Sequence, residues 1–529
     1  MKKNKSAFLI LAIFSLFFVS SIGISNADIQ ETQARPKIKV GAVGPLAITP
    51  GNDMKKGLEL ALDEINEDGV NVDGTVYDIE LIIETSSGDL GIPDPAVGVA
   101  AGKKLIEDDD VAALIGGFRT EVVLGIMNPL ILDRPFLGVG ASAPIISPHF
   151  WRIGPSNVSG LANNVIDFYA YAAIPDLGVR NITIIREEAA WTYAMGLGIK
   201  LACTTLASYG LYGAGVTINF TDDIVIPVTY KLDDVKAAMS GLKAATYDNL
   251  KVNALCTIFS GPVGAYVPQA WTAHDLSQML AGINVESQVS TFFDDTEGAC
   301  YGEIELETCP PDVEPNANTK PFREKYVEEY DEEPTYTSFA SYDALYVLKE
   351  ALEDADSFEV ADLEASLLKT NYVGIAYTIK FTDENGPHWT VAINETTGMP
   401  YYVPILTDEE GNAIMPGTFK VHDLFSPTKY GADARPYNRG YWAQWQKNGV
   451  KKTIWHLPTD TSGYDDTLDP MGTTRKLVLA NVELAPINHT DHGWTSKAEA
   501  PGFELPIIFF GLAFIAAVTI FQRKKRQLR

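Results

Sequence analysis

Two loops of small and hydroxylated residues offer the chemistry of an anion-binding site. The first follows an apolar run at Val111–Ile115 and includes Gly116 and Thr120; the second, Gly140–Pro144, follows the apolar run Pro135–Val139. A helical pattern begins directly after Thr120, so free backbone N–H groups and the positive end of a helix dipole would favour an anion there. Ligands of open α/β sheets bind at the carboxyl ends of the strands. The sequence therefore predicts half of a binding site for a small ligand with a negatively charged group.

Two of these residues have alternative interpretations. Arg119 directly precedes Thr120, and a guanidinium can hold a carboxylate through two parallel hydrogen bonds. The alternative for Arg119 is a salt bridge at the rim of a cleft. The alternative for Thr120 is local capping, because a threonine at a helix start contributes about 1 kcal/mol to stability in that role.

Strand and helix patterns alternate along the chain in the way that builds parallel sheets. The alternation begins with a strand at Lys37–Val43, continues through both loops and restarts at Asn181. The strands predicted after the restart are Asn181–Arg186, Val216–Phe220, Val252–Phe259 and Glu286–Phe293. We therefore predict an α/β fold with two Rossmann-like parallel-sheet lobes and a ligand cleft between them.

Composition and motifs exclude several classes of function. With 529 residues the chain is too long for one hydrophobic core, and its formal charge of −28 lacks the basic footprint of a nucleic-acid-binding protein. There is no Gly-x-Ser-x-Gly elbow, phosphate-binding Gly-Lys-Ser/Thr loop or HExxH motif. His489 and His492 are spaced like a metal pair but lie in a predicted stalk. We therefore expect no catalysis, no cofactor, no metal site and no nucleic acid partner.

Both ends of the chain predict export and attachment to a membrane. Residues 1–27 combine a basic start, an apolar core and a small-x-small cleavage site, which indicates a signal peptide. Residues 505–521 are apolar and just long enough to span a bilayer as a helix, and the basic tail at 522–529 would stay in the cytoplasm. The protein is thus predicted to be anchored at the cell surface, with its N-terminal domain outside the cytoplasm. The order Pro-Gly-Phe, apolar helix and basic tail also resembles archaeal C-terminal sorting signals, so retention and removal of the helix both stay open.

Four cysteines in an exported chain indicate disulfides. Cys300 and Cys309 bracket a short segment and are predicted to be bonded to each other. Cys203 lies in an apolar helical pattern and Cys256 in an apolar strand pattern. These two are either bonded or simply buried.

Several short motifs follow one another in a familiar order. They are Ile38-Lys39-Val40-Gly41, Val43-Gly44-Pro45-Leu46, Gly57-x3-Ala61-x3-Ile65-Asn66, Ile115-Gly116-Gly117, Ser341-Tyr342-Asp343-Ala344, Phe381-Thr382-x2-Asn385-Gly386 and Trp442-x-Gln444-Trp445-x2-Asn448-Gly449. In this order they resemble the leucine/isoleucine/valine-type periplasmic binding proteins, which are the substrate-binding subunits of ABC importers. The resemblance implies two lobes joined by three crossovers (periplasmic binding protein type I), no catalysis, and as partners a small-molecule ligand and the ABC permease and ATPase subunits.

The resemblance also implies ligand contacts from the first lobe. A hydroxyl after the Ile-Gly turn binds the ligand carboxylate in that family, and Thr120 occupies this place. Gly140 and Ser142 match a backbone carbonyl and a hydroxyl in the next strand-end loop, and Ala141 between them would supply a backbone N–H. Arg119 stands where the family often has a small or neutral residue. A contact from Arg119 would therefore indicate a ligand more acidic than leucine.

In the second lobe the resemblance implies an aromatic side chain that closes over the ligand. Trp191 is the nearest match and Tyr193 is the alternative. Ser260 and Gly261 follow the third strand, in the place of a small or aromatic contact. An acidic residue after the fourth strand would bind the ligand amine. The acidic residues near that point are Asp294, Asp295 and Glu297, and the sequence does not choose among them.

These patterns together predict a division of the chain and a function. The first lobe comprises residues 37–156 with about 307–372, the second comprises 157–306 with about 373–458, and residues 459–500 form a loop or stalk. The predicted function is that of an extracytoplasmic solute-binding protein of an ABC importer. Its ligand would be a branched-chain amino acid, an amide or a small carboxylate, captured by closure of the two lobes. The alternative is a surface ligand sensor that has the same fold and acts on a signalling partner.

Overall fold

The computed structural model describes residues 34–456 with gaps. The gaps are 89–90, 129–130, 143–144, 146, 156–157, 209–211, 213–214, 248–249, 383–388, 394–399, 405–422 and 425–439. The predicted signal peptide, stalk, membrane helix and basic tail all lie outside the described residues. Among the helices that are described, none is both long and apolar enough to cross a membrane.

The first lobe is built on a six-stranded sheet with the order β2-β3-β1-β4-β5-β6. Its strands are β1 (Lys37–Gly44), β2 (Val70–Val72), β3 (Thr75–Thr85), β4 (Ala113–Gly116), β5 (Phe136–Gly138) and β6 (Phe150–Arg152). All neighbouring strands are parallel except β2 and β3. The central strands are continuous buried runs because helices cover both faces of the sheet.

The second lobe has an eight-stranded sheet with the order β21-β20-β14-β13-β12-β7-β8, and β9 also pairs with β7. Its strands are β7 (Asn181–Glu187), β8 (Asn219–Phe220), β9 (Ile224–Ile226), β12 (Ala254–Phe259), β13 (Met279–Asn284), β14 (Ile304–Glu307), β20 (Tyr441–Trp445) and β21 (Lys451–His456). In this sheet β7, β8, β9, β12, β13 and β14 pair in parallel, whereas β20 and β21 add to the edge in antiparallel fashion. The second sheet therefore takes its edge from a segment far along the chain.

Helices and small strand pairs complete the two lobes. The helices are α1 (Thr49–Asp68), α2 (Pro95–Lys103), α3 (Thr120–Ile126), α4 (Val158–Phe168), α5 (Ala190–Ser208), α6 (Leu232–Met239), α7 (Tyr266–Ala273), α8 (Phe292–Asp295), α9 (Thr319–Tyr330), α10 (Tyr336–Ala355) and α11 (Val360–Leu367). The remaining strands are β10 (Thr246–Tyr247), β11 (Leu250–Lys251), β15 (Asn371–Val373), β16 (Thr378–Thr382), β17 (Trp389–Ile393), β18 (Pro400–Pro404) and β19 (Asp423–Leu424).

Each sheet is covered by a buried apolar cluster on both of its faces. In the first lobe, α1 and α10 pack on one face and α2 and α3 on the other. In the second lobe, α4 and α5 pack on one face and α6 and α7 on the other. The chain leaves the first sheet after β6 and the second after β14, and it is again in the second sheet at β20.

The fourth strand of the second lobe begins earlier than its predicted position at Glu286–Phe293. Helix α7 ends at Ala273, and Asp275 adopts a left-handed conformation with φ of 49°, which is a common way to end a helix. The chain then forms β13, whose six residues are all buried. The prediction was wrong because a continuous apolar run fits a helix end and a buried strand equally well.

The division of the chain also differs from the prediction in one segment. Ile379 and Phe381, both on β16, lie in the buried cluster of the first lobe. The second segment of the predicted second lobe began at about residue 373. The return of the chain to the second lobe is seen at β20, which pairs with β14.

The disulfide prediction was wrong, because all four cysteines are free. Cys300 packs with Phe292 and Trp445 in the second lobe, whereas Cys309 belongs to the core of the first lobe. The extended strand β14 lies between them, and a strand rises about 3.3 Å per residue, so it carries the two thiols apart. Cys203 and Cys256 share one apolar cluster without a bond. Their burial raises the pKa of Cys256 to about 12.

Candidate ligand-binding site

A cavity that is partly open to solvent lies between the two lobes. Six of the predicted site residues line it: Arg119, Thr120, Gly140, Ser142, Trp191 and Ser260. The first four belong to loops at the carboxyl ends of β4 and β5 in the first lobe. Trp191 and Ser260 follow β7 and β12 in the second lobe. The structure therefore brings both predicted halves of the site to one cavity.

Close contact of two glycines holds the first-lobe loops together. Gly117 has a φ of 75°, a left-handed conformation that favours glycine because a Cβ would be strained there. A Cβ on Gly140 would lie 2.4 Å from the carbonyl oxygen of Gly117, so a side chain cannot be accommodated without moving the backbone. This contact places Thr120 and Ser142 on neighbouring loops of the same wall.

Helix capping is not the observed role of Thr120. Helix α3 begins at Thr120, and the preceding residue, Arg119, occupies the N-cap position with an extended backbone. Thr120 is therefore the first helical residue, and its side chain is 3% exposed. Because the Thr120 hydroxyl is buried beside the cavity, a contact with a ligand fits its position better than capping of a helix end that faces solvent.

Arg119 forms an ion pair that crosses the cavity. Its Nη1 lies 3.5 Å from Oε1 of Glu187, and the two side chains are 10% and 0% exposed. Glu187 is the last residue of β7, so the pair joins the first lobe to the second. Arg119 therefore forms a salt bridge, as its alternative interpretation predicted. The salt bridge is buried and does not lie at an exposed rim of the cleft.

Glu187 is held by three donors from its own lobe. Ser260 Oγ donates to Oε1 at 2.5 Å, Trp191 Nε1 donates to Oε1 at 3.2 Å, and the Gly261 N–H donates to Oε2 at 2.9 Å. The residues that the resemblance assigned to ligand contact therefore also position this carboxylate. Sequence reasoning missed Glu187. The signal was an acidic residue at the end of a buried strand, where a carboxylate is costly unless it is paired.

Glu286 is a second carboxylate that sequence reasoning missed, because the fourth strand was placed too late. It follows β13 by two residues, where the resemblance expects an acidic residue. Burial and repulsion from Asp53, Glu187 and Asp295 raise the pKa of Glu286 to about 7. Its Oε1 is buried and has no hydrogen-bond partner within the described part of the chain.

The first lobe contributes one more buried carboxylate near this point. Thr335 Oγ1 donates to Oδ2 of Asp53 at 2.7 Å, and Asp53 is 3% exposed. Burial raises the pKa of Asp53 to about 7. The adjacent Tyr336 lines the cavity, and burial together with Glu187 and Glu286 raises its pKa, so its hydroxyl stays protonated.

A ladder of buried glutamates lies behind the second-lobe wall. Glu303, Glu305 and Glu307 alternate with the apolar residues of β14 and are at most 5% exposed. Glu307 lines the cavity and forms an ion pair with the buried Lys451 of β21. Burial raises the pKa of Glu303 to about 7, and burial together with Glu303 and Glu307 holds the pKa of Glu305 well above its usual range.

Comparison with known proteins identifies the family. A family model described as periplasmic binding protein matches residues 37–390, more than half of the chain. The chain belongs to the periplasmic binding protein family. Its members bind ligands and catalyse no reaction, and solute-binding proteins of ABC transporters are of this type. The match ends before the C-terminal segment, so the predicted sorting signal and anchor stay predictions. No curated protein sequence matches the chain.

Solved structures of binding proteins share the fold at low sequence identity. The leucine binding protein LivK from Thermotoga maritima is 16% identical, with a TM-score of 0.56 over 80% of this chain and 99% of that one. LivJ from Streptococcus pneumoniae in complex with isoleucine is 14% identical, with a TM-score of 0.56 over the same shares. A solute binding protein from Rhodopseudomonas palustris in complex with 3,4-dihydroxybenzoic acid is 16% identical, with a TM-score of 0.54 over 74% and 99%.

Three acidic candidates of this periplasmic binding protein lie away from the cavity. Asp294 and Asp295 are in the short helix α8, where Thr291 Oγ1 donates to Asp295 at 2.7 Å. Glu297 adopts a left-handed conformation with φ of 53° in the turn that follows. None of the three lines the cavity. Their assignment as ligand contacts remains a prediction; Glu286 is likewise not among the lining residues, although its neighbours Val285 and Gln288 are.

The remaining candidates of the binding protein have defined positions. Ala141 is buried and its carbonyl accepts a hydrogen bond from the Arg152 guanidinium. Tyr193, the alternative to Trp191, is 55% exposed and lies under the guanidinium of Arg186. Across the described residues, no group of three or more His, Cys, Asp and Glu side chains could hold a metal ion.

Proposed function

We propose that the protein captures a small amino-acid-like solute outside the cytoplasm and delivers it to the permease and ATPase subunits of an ABC importer. The observation that carries the proposal is a pair of unsatisfied polar atoms from opposite lobes. Nε of Arg119 is a buried donor and Oε1 of Glu286 is a buried acceptor, and neither has a partner within the described residues. Such atoms cost about 1–3 kcal/mol each when left unpaired. A ligand with a carboxylate and an ammonium supplies both partners.

The contacts of the two lobes support a definite orientation of this ligand. The carboxylate would accept hydrogen bonds from Thr120, Ser142 and the Nε of Arg119, all on the first lobe. The ammonium would donate to Glu286 on the second lobe, and Trp191 would cover the apolar part. Binding in this way joins the two lobes, so closure and capture become one event.

A thermal-shift screen tests the proposal. Purified full-length protein is heated with amino acids, amides, small carboxylates and benzoates, since neighbours in structure bind leucine, isoleucine and a dihydroxybenzoate. A ligand that binds only the folded state at 100 times its Kd stabilises the protein by about 2.7 kcal/mol. At least one amino acid is expected to raise the Tm, whereas benzoates leave Glu286 without a donor and are expected to bind weakly. No rise with any of these compounds would refute the proposal.

Thr120→Ala and Ser142→Ala are each expected to weaken ligand binding. Each change removes one hydrogen bond to a charged carboxylate, which is worth about 1.5–3 kcal/mol, or about tenfold to a hundredfold in Kd. Calorimetry with the ligand from the screen measures the effect. If the two hydroxyls serve only the stability of their loops, the Tm of each variant falls while its Kd stays at the wild-type value, and the site assignment is wrong.

A further inference from the structure

We infer that the cavity selects a ligand whose far end carries an uncharged N–H donor, in the first place an amino acid with a primary amide on its side chain. The inference rests on the proposed function, because it takes the cavity between the lobes as the ligand site. It deepens that function by naming the substrate class. The carrying observation is the Glu307 carboxylate, which lines the cavity and has one oxygen bound to Lys451 and the other without a partner among the described residues.

Glu307 is a buried acid that a ligand in the cavity can reach. It is the last residue of β14, and its side chain is 6% exposed. Lys451 Nζ donates to Oε1 of Glu307, whereas Oε2 accepts no hydrogen bond within the described part of the chain. Oε2 is also not one of the fully buried polar atoms that lack a partner there. The small exposed area of Glu307 therefore includes an acceptor oxygen that faces the cavity.

Glu307 lies away from the residues proposed to bind the ligand carboxylate. Ser260 follows β12 and lies beside the ion pair of Arg119, whereas Glu307 ends β14, and β13 lies between these two strands in the sheet. Two strand spacings separate the main chains by roughly 10 Å along the edge of the sheet. Ile283 and Val285, on and after β13, line the cavity between them. An extended glutamine covers this distance with a hydrogen bond at each end, and its methylene groups would contact the apolar pair.

Two further polar side chains line this end of the cavity. Gln288 Nε2 donates to the Leu306 carbonyl at 3.3 Å, which places its amide beside the end of β14 and fixes the orientation of that amide. The amide oxygen of Gln288 is left as an acceptor, because its hydrogen bonds to the described residues are made by the nitrogen. Thr308 directly follows Glu307 and supplies a hydroxyl. This end of the cavity therefore offers two acceptor oxygens and one group that can also donate.

A primary amide matches this set of groups. It has two N–H donors and a carbonyl acceptor, so its nitrogen can donate to Glu307 and Gln288 while its oxygen accepts from Thr308. A methyl group at the same place would leave both acceptors without a donor. A carboxylate would bring only further acceptors to them.

The charges at this end favour an uncharged donor over an ammonium. Glu307 and Lys451 form a buried ion pair, and Lys451 Nζ lies 4.7 Å from the centre of the Trp445 ring. Arg323 and Asp312 also act on Glu307, with opposite signs. Because the carboxylate already has its counter-charge, a ligand cation would lose its hydration without gaining an unpaired partner. An amide loses much less hydration free energy when it is buried.

Calorimetry on the full-length protein with four amino acids tests the inference. 5-Oxo-L-norleucine has the shape of L-glutamine with a methyl group in place of the amide nitrogen, L-glutamate has a carboxylate in place of the amide, and L-lysine ends in an ammonium. Glutamine is expected to bind about tenfold to a hundredfold more tightly than 5-oxonorleucine, as one hydrogen bond to a charged acceptor predicts. Glutamate and lysine are each expected to bind more weakly than glutamine.

A matched pair of double variants links the preference to Glu307. Glu307→Leu with Lys451→Met replaces the buried ion pair by apolar side chains, a change that folded proteins often tolerate. Glutamine should then bind no more tightly than 5-oxonorleucine. Glu324→Leu with Lys320→Met removes an exposed pair from α9 and should leave the ratio of the two affinities at the wild-type value. A role of Glu307 in stability alone would change the Tm without changing this ratio.

A single variant keeps the test open if the first double variant does not fold. Gln288→Met retains the length of the side chain and removes the second acceptor. The preference for glutamine over 5-oxonorleucine should then fall about twofold to tenfold, as the loss of one neutral hydrogen bond predicts. An unchanged preference in every variant that folds would overturn the inference.

The outcomes of the binding experiment separate the inference from the proposed function. 5-Oxonorleucine, glutamate or lysine binding as tightly as glutamine would overturn the inference and leave the proposed function intact. Tight binding of leucine together with no binding heat from glutamine would have the same meaning. No rise in Tm and no binding heat with any of the four amino acids, nor with the compounds of the wider screen, would overturn both.

Discussion

Replacing Arg119 with alanine is expected to lower the free energy of unfolding by about 3 kcal/mol, since removal of one partner from a buried pair leaves the other charge uncompensated. Glu187 is fully buried and would keep its three hydrogen bonds from Ser260, Trp191 and Gly261. These donors are neutral and cannot replace the guanidinium. Ligand affinity should fall as well, because Nε of Arg119 is lost from the carboxylate contact. Urea unfolding and calorimetry measure the two effects.

The matched control is the double variant Arg119→Ala with Glu187→Gln. The neutral amide removes the buried charge, so the double variant should recover at least half of the stability lost by Arg119→Ala alone. Changes in the free energy of unfolding that do not add are expected when two side chains interact directly. If the two changes add, or if Arg119→Ala unfolds at the wild-type urea concentration, then the ion pair between the lobes does not contribute to the folded state.

The second large effect expected is a loss of stability between pH 5 and pH 8. Burial raises the pKa of Glu286, Asp53 and Glu303 to about 7. A carboxyl with a raised folded-state pKa binds its proton more tightly in the folded protein than in the unfolded chain. Its contribution to stability is therefore present below the unfolded pKa and is lost as the pH rises through 7. A shift from 4.5 to about 7 corresponds to about 3 kcal/mol for Glu286 alone.

Urea unfolding at pH 5, 6, 7 and 8, followed by tryptophan fluorescence, measures this slope. Glu286→Gln should flatten the curve, because the amide has no proton to lose. The groups that face Glu303 are Asn284 and Ser287, which donate to it, together with Glu305 and Lys451. A level or rising stability over this range would show that these carboxyls are ionised in the folded protein at pH 5.

The positions of Thr120 and Ser142 on the first-lobe side of the cavity could be predicted from the sequence, for a physical reason. Parallel strands that end in glycine must deliver the following residues to one edge of the sheet, so Thr120 and Ser142 could be assigned from the runs before them. Trp191 and Ser260 were placed on the cavity by the order of the family motifs. The two-lobe α/β architecture followed from the alternation of strands and helices, which is a local property of the chain.

The acidic half of the cavity could not be predicted in the same way. Glu187 looks like a residue at the solvated end of a strand, and only the packing of Ser260, Gly261 and Trp191 around it makes it a buried acceptor. Glu286 was missed because the apolar residues before it were assigned to a helix. The separation of Cys300 from Cys309 likewise depends on the extended form of β14, which their spacing does not reveal.

The edge of the second sheet has a consequence for the order in which the lobes fold. Strand β14 pairs with β20, whose residues follow it after more than a hundred positions, and Lys451 on β21 neutralises Glu307. The entropy of closing this long loop is lost before the contacts between β14 and β20 can stabilise the protein. During synthesis the first-lobe sheet is complete long before this step, whereas the second keeps an open edge and an unneutralised glutamate until residue 451 has emerged. Completion of the second lobe is therefore delayed until the segment that carries β20 and β21 has been made.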